Sequence, residues 1–138
     1  MKVALCHLEL SNGPEQKNIE LLEKAVRIAA EKGANWVITP ETAVQGYYFY
    51  KLEPETKVDK QPSSKLSFLL SLVKDYGLFL FLGCGEYDSE LNCNFNSCIV
   101  FEPSGEICGR HRKIISHSIG AEAWARTADV LKPIDCLN

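Results

Sequence analysis

Two amphipathic stretches, each closed by a glycine and followed by an apolar run, constrain the fold of this chain most. In residues 18–32 and 64–76, apolar side chains recur at three- and four-residue steps, which predicts helices with one buried face. The predicted inward residues are Ile19, Leu22, Ala25, Val26 and Ala29 in the first helix and Leu66, Leu69, Leu70 and Val73 in the second. Gly33 and Gly77 come next, and glycine readily adopts the left-handed backbone that ends a helix.

Short apolar runs alternate with these helices and predict strands. The predicted strands are residues 2–10, 36–39, 78–82, 97–101 and 107–112. The run at 78–82 is apolar on both faces, as expected for a central strand, and Gly83 and Gly85 are predicted to mark its exit. The last two strands form a predicted hairpin through Glu102-Pro-Ser-Gly-Glu106. This order predicts an α/β fold whose sheet mixes strand directions, in one domain over residues 1–138.

Two segments carry weaker patterns. Residues 51–62 are polar and contain prolines, which predicts a surface loop. Residues 116–138 have no sustained period of either kind, so we expect them to connect this fold to something else.

Charge and composition limit the classes of binding partner and the cellular location that we expect. Fifteen basic and eighteen acidic side chains give a net charge of -3 without a block of either sign, which argues against a nucleic-acid or anionic-membrane partner. No apolar run is long enough to cross a bilayer, and the first residues are too polar for a secretory leader. The six cysteines are therefore expected to be reduced, and the protein is predicted to be cytoplasmic.

Two groups of charged residues follow predicted strands. Glu41 comes just after the strand at 36–39 and Pro40, and the basic group 110–113 ends in Lys113. In α/β sheets, ligands collect beyond strand ends, so a carboxylate and an ammonium there could serve as a general base and an electrostatic stabiliser. The alternatives remain open, because a Glu beside a proline can be a solvated loop residue and a basic strand end can simply be exposed.

Five segments together resemble the amino-terminal half of the carbon–nitrogen hydrolase, or nitrilase, superfamily. They are VALCHLE (residues 3–9), residues 18–35, VITPETAVQGYYF (residues 37–49), NFNSCIVFEPSGEICGRHRKI (residues 94–114) and GAEAWA (residues 120–125). The resemblance implies half of a four-layer α-β-β-α sandwich with a mixed sheet. It also implies hydrolysis of a small amide, nitrile or carbamoyl compound by a Glu-Lys-Cys set, without a cofactor, in a homo-oligomer.

Carried over to this sequence, the resemblance implies roles for three residues. Glu41 would be the general base, Lys113 the cation beside the developing oxyanion, and Glu122 the second glutamate that orients the lysine or the base. The chemistry is consistent, because an attacking thiol must lose a proton and the tetrahedral intermediate needs positive charge.

The nucleophilic cysteine of that family follows an apolar strand downstream of the second glutamate, and none of the six cysteines has that setting. Cys136 comes nearest in order, but Pro133, Ile134 and Asp135 precede it. Cys6 and Cys84 are predicted to be small core residues. The sequence thus predicts that these 138 residues alone have no amidase turnover. They could be a fragment, a natural short homologue or one part of a split enzyme.

Other interpretations stay open. The chain could be a non-catalytic interaction module in which the Glu–Lys pair is only structural, or Lys113 could form a Schiff base. Tyr47, with the aromatic residues that follow it, could line a substrate pocket or pack in a core. The dispersed histidines His7, His111 and His117, and the spacing of Cys93, Cys98 and Cys108, do not predict a metal site.

Overall fold

The computed structural model describes residues 1–116 and 119–136, which form a mixed five-stranded sheet. The strands are β1 Val3–Leu5, β2 Trp36–Ile38, β3 Phe79–Asp88, β4 Cys93–Phe101 and β5 Ile107–Arg112, and they lie in this order across the sheet. The first three strands are parallel, whereas β4 and β5 each run antiparallel to their neighbour. The predicted α/β fold with a mixed sheet is confirmed.

Two long helices cover one face of the sheet, and a third, short helix of the described residues follows β2. The helices are α1 Glu15–Glu31, α2 Phe49–Leu52 and α3 Ser67–Tyr76, with short 3₁₀ turns at Ser64–Leu66 and Gly120–Glu122. The long helices α1 and α3 pack beside each other and bury their apolar stripes against the sheet, where Leu80 and Leu82 of β3 are fully buried. Gly33 and Gly77 both have a positive φ, as predicted for helix ends.

The third strand was predicted too short. It does not end at Gly83 but continues through Gly85 to Asp88, and a tight hairpin then leads into β4, which begins at Cys93. The two glycines make room for neighbouring chain rather than ending the strand, because a Cβ on either would crowd a segment packed over it.

Smaller differences concern the ends of elements. The first strand, predicted over 2–10, is confined to Val3–Leu5, although the Cys6 amide still donates to the Ile38 carbonyl at 2.8 Å. Residues 51–62 are not only a surface loop, because α2 enters the segment and Val58 and Gln61 are buried.

The face opposite the helices is only partly covered. Residues 119–136 pack over this face around β4 and β5, and Ile134 lies directly above Gly109. At the β1 edge Val3 and Leu5 are exposed, next to Trp36, whose ring contacts Phe81 with centroids 5.0 Å apart. Glu41, Lys113 and Glu122 lie on this second face, whereas Arg110 and Arg112 of the predicted basic group lie on the helix side of the sheet.

Candidate active site

The loop that carries Glu41 is fixed to β3 on both sides of the carboxylate. The Gly83 amide donates to Thr39 Oγ1 at 2.9 Å, and the Ala43 amide donates to the Gly83 carbonyl at 2.7 Å. A Cβ on Gly83 would lie 2.2 Å from the Pro40 carbonyl oxygen, so only glycine allows this approach. The short tether leaves Glu41 little freedom to move away from the sheet.

A buried glutamine secures the far end of the same loop. The Gln45 side chain accepts a hydrogen bond from the Gly85 amide at 2.8 Å and donates to Glu15 at 3.0 Å, while only 1% of the residue is exposed. The loop between β2 and α2 is thus held by β3 and by the first turn of α1.

Lys113 reaches the same place from the end of β5. Its backbone amide donates to the Asn96 carbonyl at 2.8 Å and its carbonyl accepts from the Ala128 amide at 3.1 Å, so the backbone is held on both sides. Lys113 Nζ donates to Glu41 Oε1 at 2.8 Å and also to Glu122 Oε1. The structure therefore brings together Glu41, Lys113 and Glu122, although Glu41 and Lys113 are 72 residues apart along the chain.

Glu122 is held in place by aromatic packing. It ends the 3₁₀ turn Gly120–Glu122, and only 3% of its side chain is exposed. Two residues later the Trp124 ring packs against Phe49, with centroids 5.0 Å apart, and covers the backbone of Gly85. This second small core anchors the turn on the sheet.

Asn96 is a fourth member of the cluster that the sequence reasoning missed. Its Nδ2 donates to Glu41 Oε1 at 2.6 Å and to Glu122 Oε1 at 3.2 Å, and the residue is 5% exposed. The available signal was a pair of asparagines, Asn94 and Asn96, just before the predicted strand at 97–101. We call Glu41, Asn96, Lys113 and Glu122 the open cluster.

The open cluster has two carboxylates for one ammonium. Partial burial works against the charge of Lys113, but its hydrogen bonds to Glu122 and Glu41 outweigh this and raise the pKa of the lysine above its ordinary value. The carboxylates differ in access, because 42% of the Glu41 side chain is exposed whereas Glu122 is enclosed. Glu41 is thus the carboxylate that a bound molecule can reach.

A cavity of about 300 Å³ opens beside the open cluster. Its lining residues are Thr39, Pro40, Glu41, Gly83, Asn96, Ser97, Cys98, His111 and Lys113. Tyr47 is not among the described residues of this lining. The residue is 39% exposed, and its ring contacts that of Tyr48 edge-on with centroids 5.1 Å apart. Its predicted role in substrate binding stays a prediction.

The described residues offer no ligand set for a metal. Within residues 1–116 and 119–136, no three His, Cys, Asp or Glu side chains are arranged to hold an ion. His111 lines the cavity, and His117 lies outside the described residues. No helix in the described part of the chain is long and apolar enough to cross a membrane.

Comparison with known proteins matches this chain to one class of hydrolases. The carbon-nitrogen hydrolase family model matches residues 2–133, so the chain belongs to that family. A nitrilase of Pyrococcus abyssi is 31% identical over 116 residues, which are 83% of this chain and 43% of the relative. An omega-amidase of Xenopus laevis is 32% identical over 123 residues, 88% of this chain and 44% of the relative.

Solved structures show the same fold. Nit3 of Saccharomyces cerevisiae, a member of the nitrilase superfamily, has a TM-score of 0.81 at 23% identity, covering 98% of this chain and 51% of that one. The amidase of Nesterenkonia sp. AN1 also has a TM-score of 0.81, at 20% identity, covering 96% of this chain and 50% of that one. The chain thus spans about half the length of the relatives it matches, and its fold is that of the nitrilase type.

Proposed function

We propose that this chain supplies the glutamate–lysine part of a thiol-dependent carbon–nitrogen hydrolase that acts on a small amide, nitrile or carbamoyl compound. The observation that carries the proposal is the convergence of the Glu41 and Glu122 carboxylates on the Lys113 ammonium at the wall of a cavity. Family membership supports the class of reaction.

In the proposed reaction Glu41 is the general base. Both hydrogen bonds that the described residues make to its carboxylate end on Oε1, so Oε2 can take the proton of an attacking thiol. The thiolate sulfur then bonds to the carbonyl or nitrile carbon, and with an amide the same proton passes to the leaving nitrogen. Water cleaves the thioester formed from an amide and frees the thiol. A nitrile first gives a thioimidate, which one water converts to the thioester with release of ammonia and which a second water then cleaves.

Lys113 would stabilise the oxyanion of the tetrahedral intermediate. Its raised pKa keeps it protonated at neutral pH, and an ammonium in a partly closed cavity stabilises a developing negative charge more than it would in water. The same raised pKa counts against the Schiff-base alternative, which needs a neutral amine. Glu122 acts as a positioning residue, because it holds the ammonium from its enclosed side.

The relatives support the proposed substrates. One variant of the Nesterenkonia amidase has been solved with butyramide bound, and another variant carries the acetamide moiety of fluoroacetamide on its active-site cysteine. Together with the omega-amidase and nitrilase relatives, this favours a small amide or nitrile here.

We expect the nucleophile to come from outside residues 1–138. Cys98 lines the cavity, but burial in the middle of β4 raises the pKa of its thiol, and Cys84 is fully buried on the helix-covered face. A reactive thiol needs a larger thiolate fraction than such burial allows.

The test compares the 138-residue chain with the same chain continued through its natural downstream sequence. We expect the longer protein to release ammonia from a panel of simple amides and nitriles, and the short one to release none. Turnover by the short chain that disappears in Cys98→Ala would overturn the assignment of the nucleophile. A longer protein without turnover would favour the non-catalytic interaction module. The exposed apolar edge at Val3 and Leu5 supports that alternative, because such a surface can bind another protein.

The expected homo-oligomer and the cytoplasmic location belong to this proposal as well. Sedimentation of the longer protein tests the first, and microscopy of a tagged copy tests the second.

A further inference from the structure

Three thiols lie close together where the segment after Glu122 crosses the sheet. Cys98 belongs to β4, Cys108 to β5 and Cys136 to the crossing segment, and all three are free and partly buried. The Cys108 and Cys136 thiols are within hydrogen-bonding contact of each other. This pairing plays no part in the proposed hydrolysis.

The backbone brings these two thiols together through fixed contacts. The Arg126 amide donates to the Asn94 carbonyl at 2.8 Å, which directs the crossing segment over the sheet. Ile134 then packs so closely on Gly109 that a Cβ on the glycine would lie 2.4 Å from Ile134 Cγ2. Since residues 109 and 134 touch, the segment that carries Cys136 is held over the part of β5 that carries Cys108.

Cys108 also has an unusual place in its strand. Val100 pairs with Gly109 and Phe101 with Ile107, so Cys108 is the extra residue of a β-bulge. Its thiol contacts the Val100 carbonyl at 3.6 Å, and the Cys136 thiol contacts the Ile134 carbonyl at 3.7 Å. A bulge residue can adjust its direction without breaking the ladder, which makes a new bond at this position tolerable.

We propose that Cys108 and Cys136 form a disulfide when the protein meets a peroxide, and that this bond fastens the crossing segment to β5. One thiol loses its proton, and its sulfur attacks a peroxide oxygen to give a sulfenic acid and water. The sulfur of the second thiolate then displaces the hydroxyl group as the S–S bond forms, and a second water leaves. The two thiols lose two electrons, which reduce the peroxide to two waters.

The bond would close a loop that contains both Lys113 and Glu122. It would restrict the unfolded chain and raise the apparent melting temperature of the oxidised protein. Burial raises the pKa of the Cys108 thiol, so we expect the first step to be slow and the closing step to be fast, because the partner thiol is already in contact.

The experiment treats the 138-residue chain with hydrogen peroxide, alkylates the remaining thiols and maps the peptides by mass spectrometry without reduction. We expect a Cys108–Cys136 peptide pair, an intact mass lower by two hydrogen atoms, and reversal by dithiothreitol. The control Cys93→Ser should form the same pair and show the same rise in melting temperature. Cys136→Ser and Cys108→Ser should show neither change.

Two results would overturn the proposal. One is a bond between Cys98 and Cys136 in place of the expected pair. The other is complete alkylation of Cys108 and Cys136 after peroxide treatment, with no bridged peptide.

Discussion

Two charged clusters lie on opposite faces of β4, and the contrast between them separates stability from function. Asn96 and Ser97 are neighbours in this strand, so their side chains point to opposite faces. Asn96 belongs to the open cluster on the face opposite the helices. Ser97 belongs to a second set on the other face, which comprises Glu86, Asp88, Ser97, Arg110 and Arg112 and which we call the balanced cluster.

The balanced cluster is electrically neutral, and its central carboxylate is enclosed. Glu86, with 6% of its side chain exposed, accepts from Arg110 Nε at 2.8 Å, from Arg112 Nε at 3.2 Å and from Ser97 Oγ at 2.9 Å. Arg112 also pairs with Asp88 at 2.9 Å, so two guanidinium groups face two carboxylates. The open cluster instead has one cation for two carboxylates and an accessible side. The difference indicates that the first cluster supports the fold, whereas the second retains a carboxylate that can act on a ligand.

The largest expected effect is the loss of activity on removing the charge of Glu41. In the longer protein, Glu41→Gln keeps the shape of the side chain but cannot take a proton, so kcat/KM should fall about 10²–10⁴-fold. Because the side chain is 42% exposed, the free energy of unfolding should change by less than about 0.5 kcal/mol. Steady-state kinetics and urea denaturation measure the two quantities on one preparation.

The control for Glu41→Gln is Lys24→Met, an exposed lysine of α1 outside both clusters. It should leave both quantities unchanged. If Glu41→Gln kept most of the activity, Glu41 would not be the general base.

The next effect concerns stability and comes from the balanced cluster. Glu86→Ala removes the carboxylate that two partly buried arginines share, so the free energy of unfolding should fall by about 3 kcal/mol, near the low end for breaking a buried pair. Urea denaturation of the 138-residue chain measures this change. If the unfolding free energy fell by less than about 1 kcal/mol, the ion pairs of Glu86 would contribute no more than ordinary surface pairs. The balanced cluster would then not be the one that supports the fold.

Local patterns were enough to predict most of the fold. The bounds of β5 coincide with the predicted residues 107–112, and both helices end at the predicted glycines. These features depend on periodicity and on the backbone freedom of glycine, which are properties of a few neighbouring residues. Gly83 and Gly85 misled the prediction because a glycine inside a strand and a glycine at its exit have the same local signature.

The candidate site was less accessible to such reasoning. Glu41 and Lys113 could be named because both follow strands and because the chain resembles a known family. Asn96 could not be named from the sequence, because its importance depends on contacts with Glu41, 55 positions before it, and Glu122, 26 positions after it. A polar residue in a strand has many possible partners, and only the packing of the sheet selects one.

A third, intermediate effect tests how the loop reaches the open cluster. Gly83→Ala would place a methyl group against the Pro40 carbonyl, so we expect a loss of about 1–3 kcal/mol in unfolding free energy, as for other overpacked sites. In the longer protein the displaced loop should also lower kcat. The matched control is Gly85→Ala on the same face of β3, where the crowding atoms belong to the side chains of Val58 and Trp124, which can shift.

The control should therefore lose less stability than Gly83→Ala. Equal losses in the two variants would mean that the backbone contact with Pro40 has no special part in holding Glu41.

The smallest expected effect is a pH dependence of stability that comes from Lys113. Because the pKa of Lys113 is raised in the folded chain, its contribution is fully present below the unfolded value of 10.5 and is lost as the pH rises through the folded value. Lys113→Met removes this contribution at every pH and leaves the enclosed Glu122 without its cation. The difference in unfolding free energy between wild type and variant should therefore be largest at neutral pH and should narrow above about pH 10.5.

Urea denaturation of both proteins from about pH 7 to about pH 11 measures this narrowing, and the difference between the two cancels the titration of other lysines and tyrosines. Lys24→Met again serves as the control, and its difference from wild type should stay constant over the same range. Parallel profiles for wild type and Lys113→Met would mean that the carboxylates do not stabilise the charged lysine. The open cluster would then differ from the balanced one in strength of pairing as well as in access.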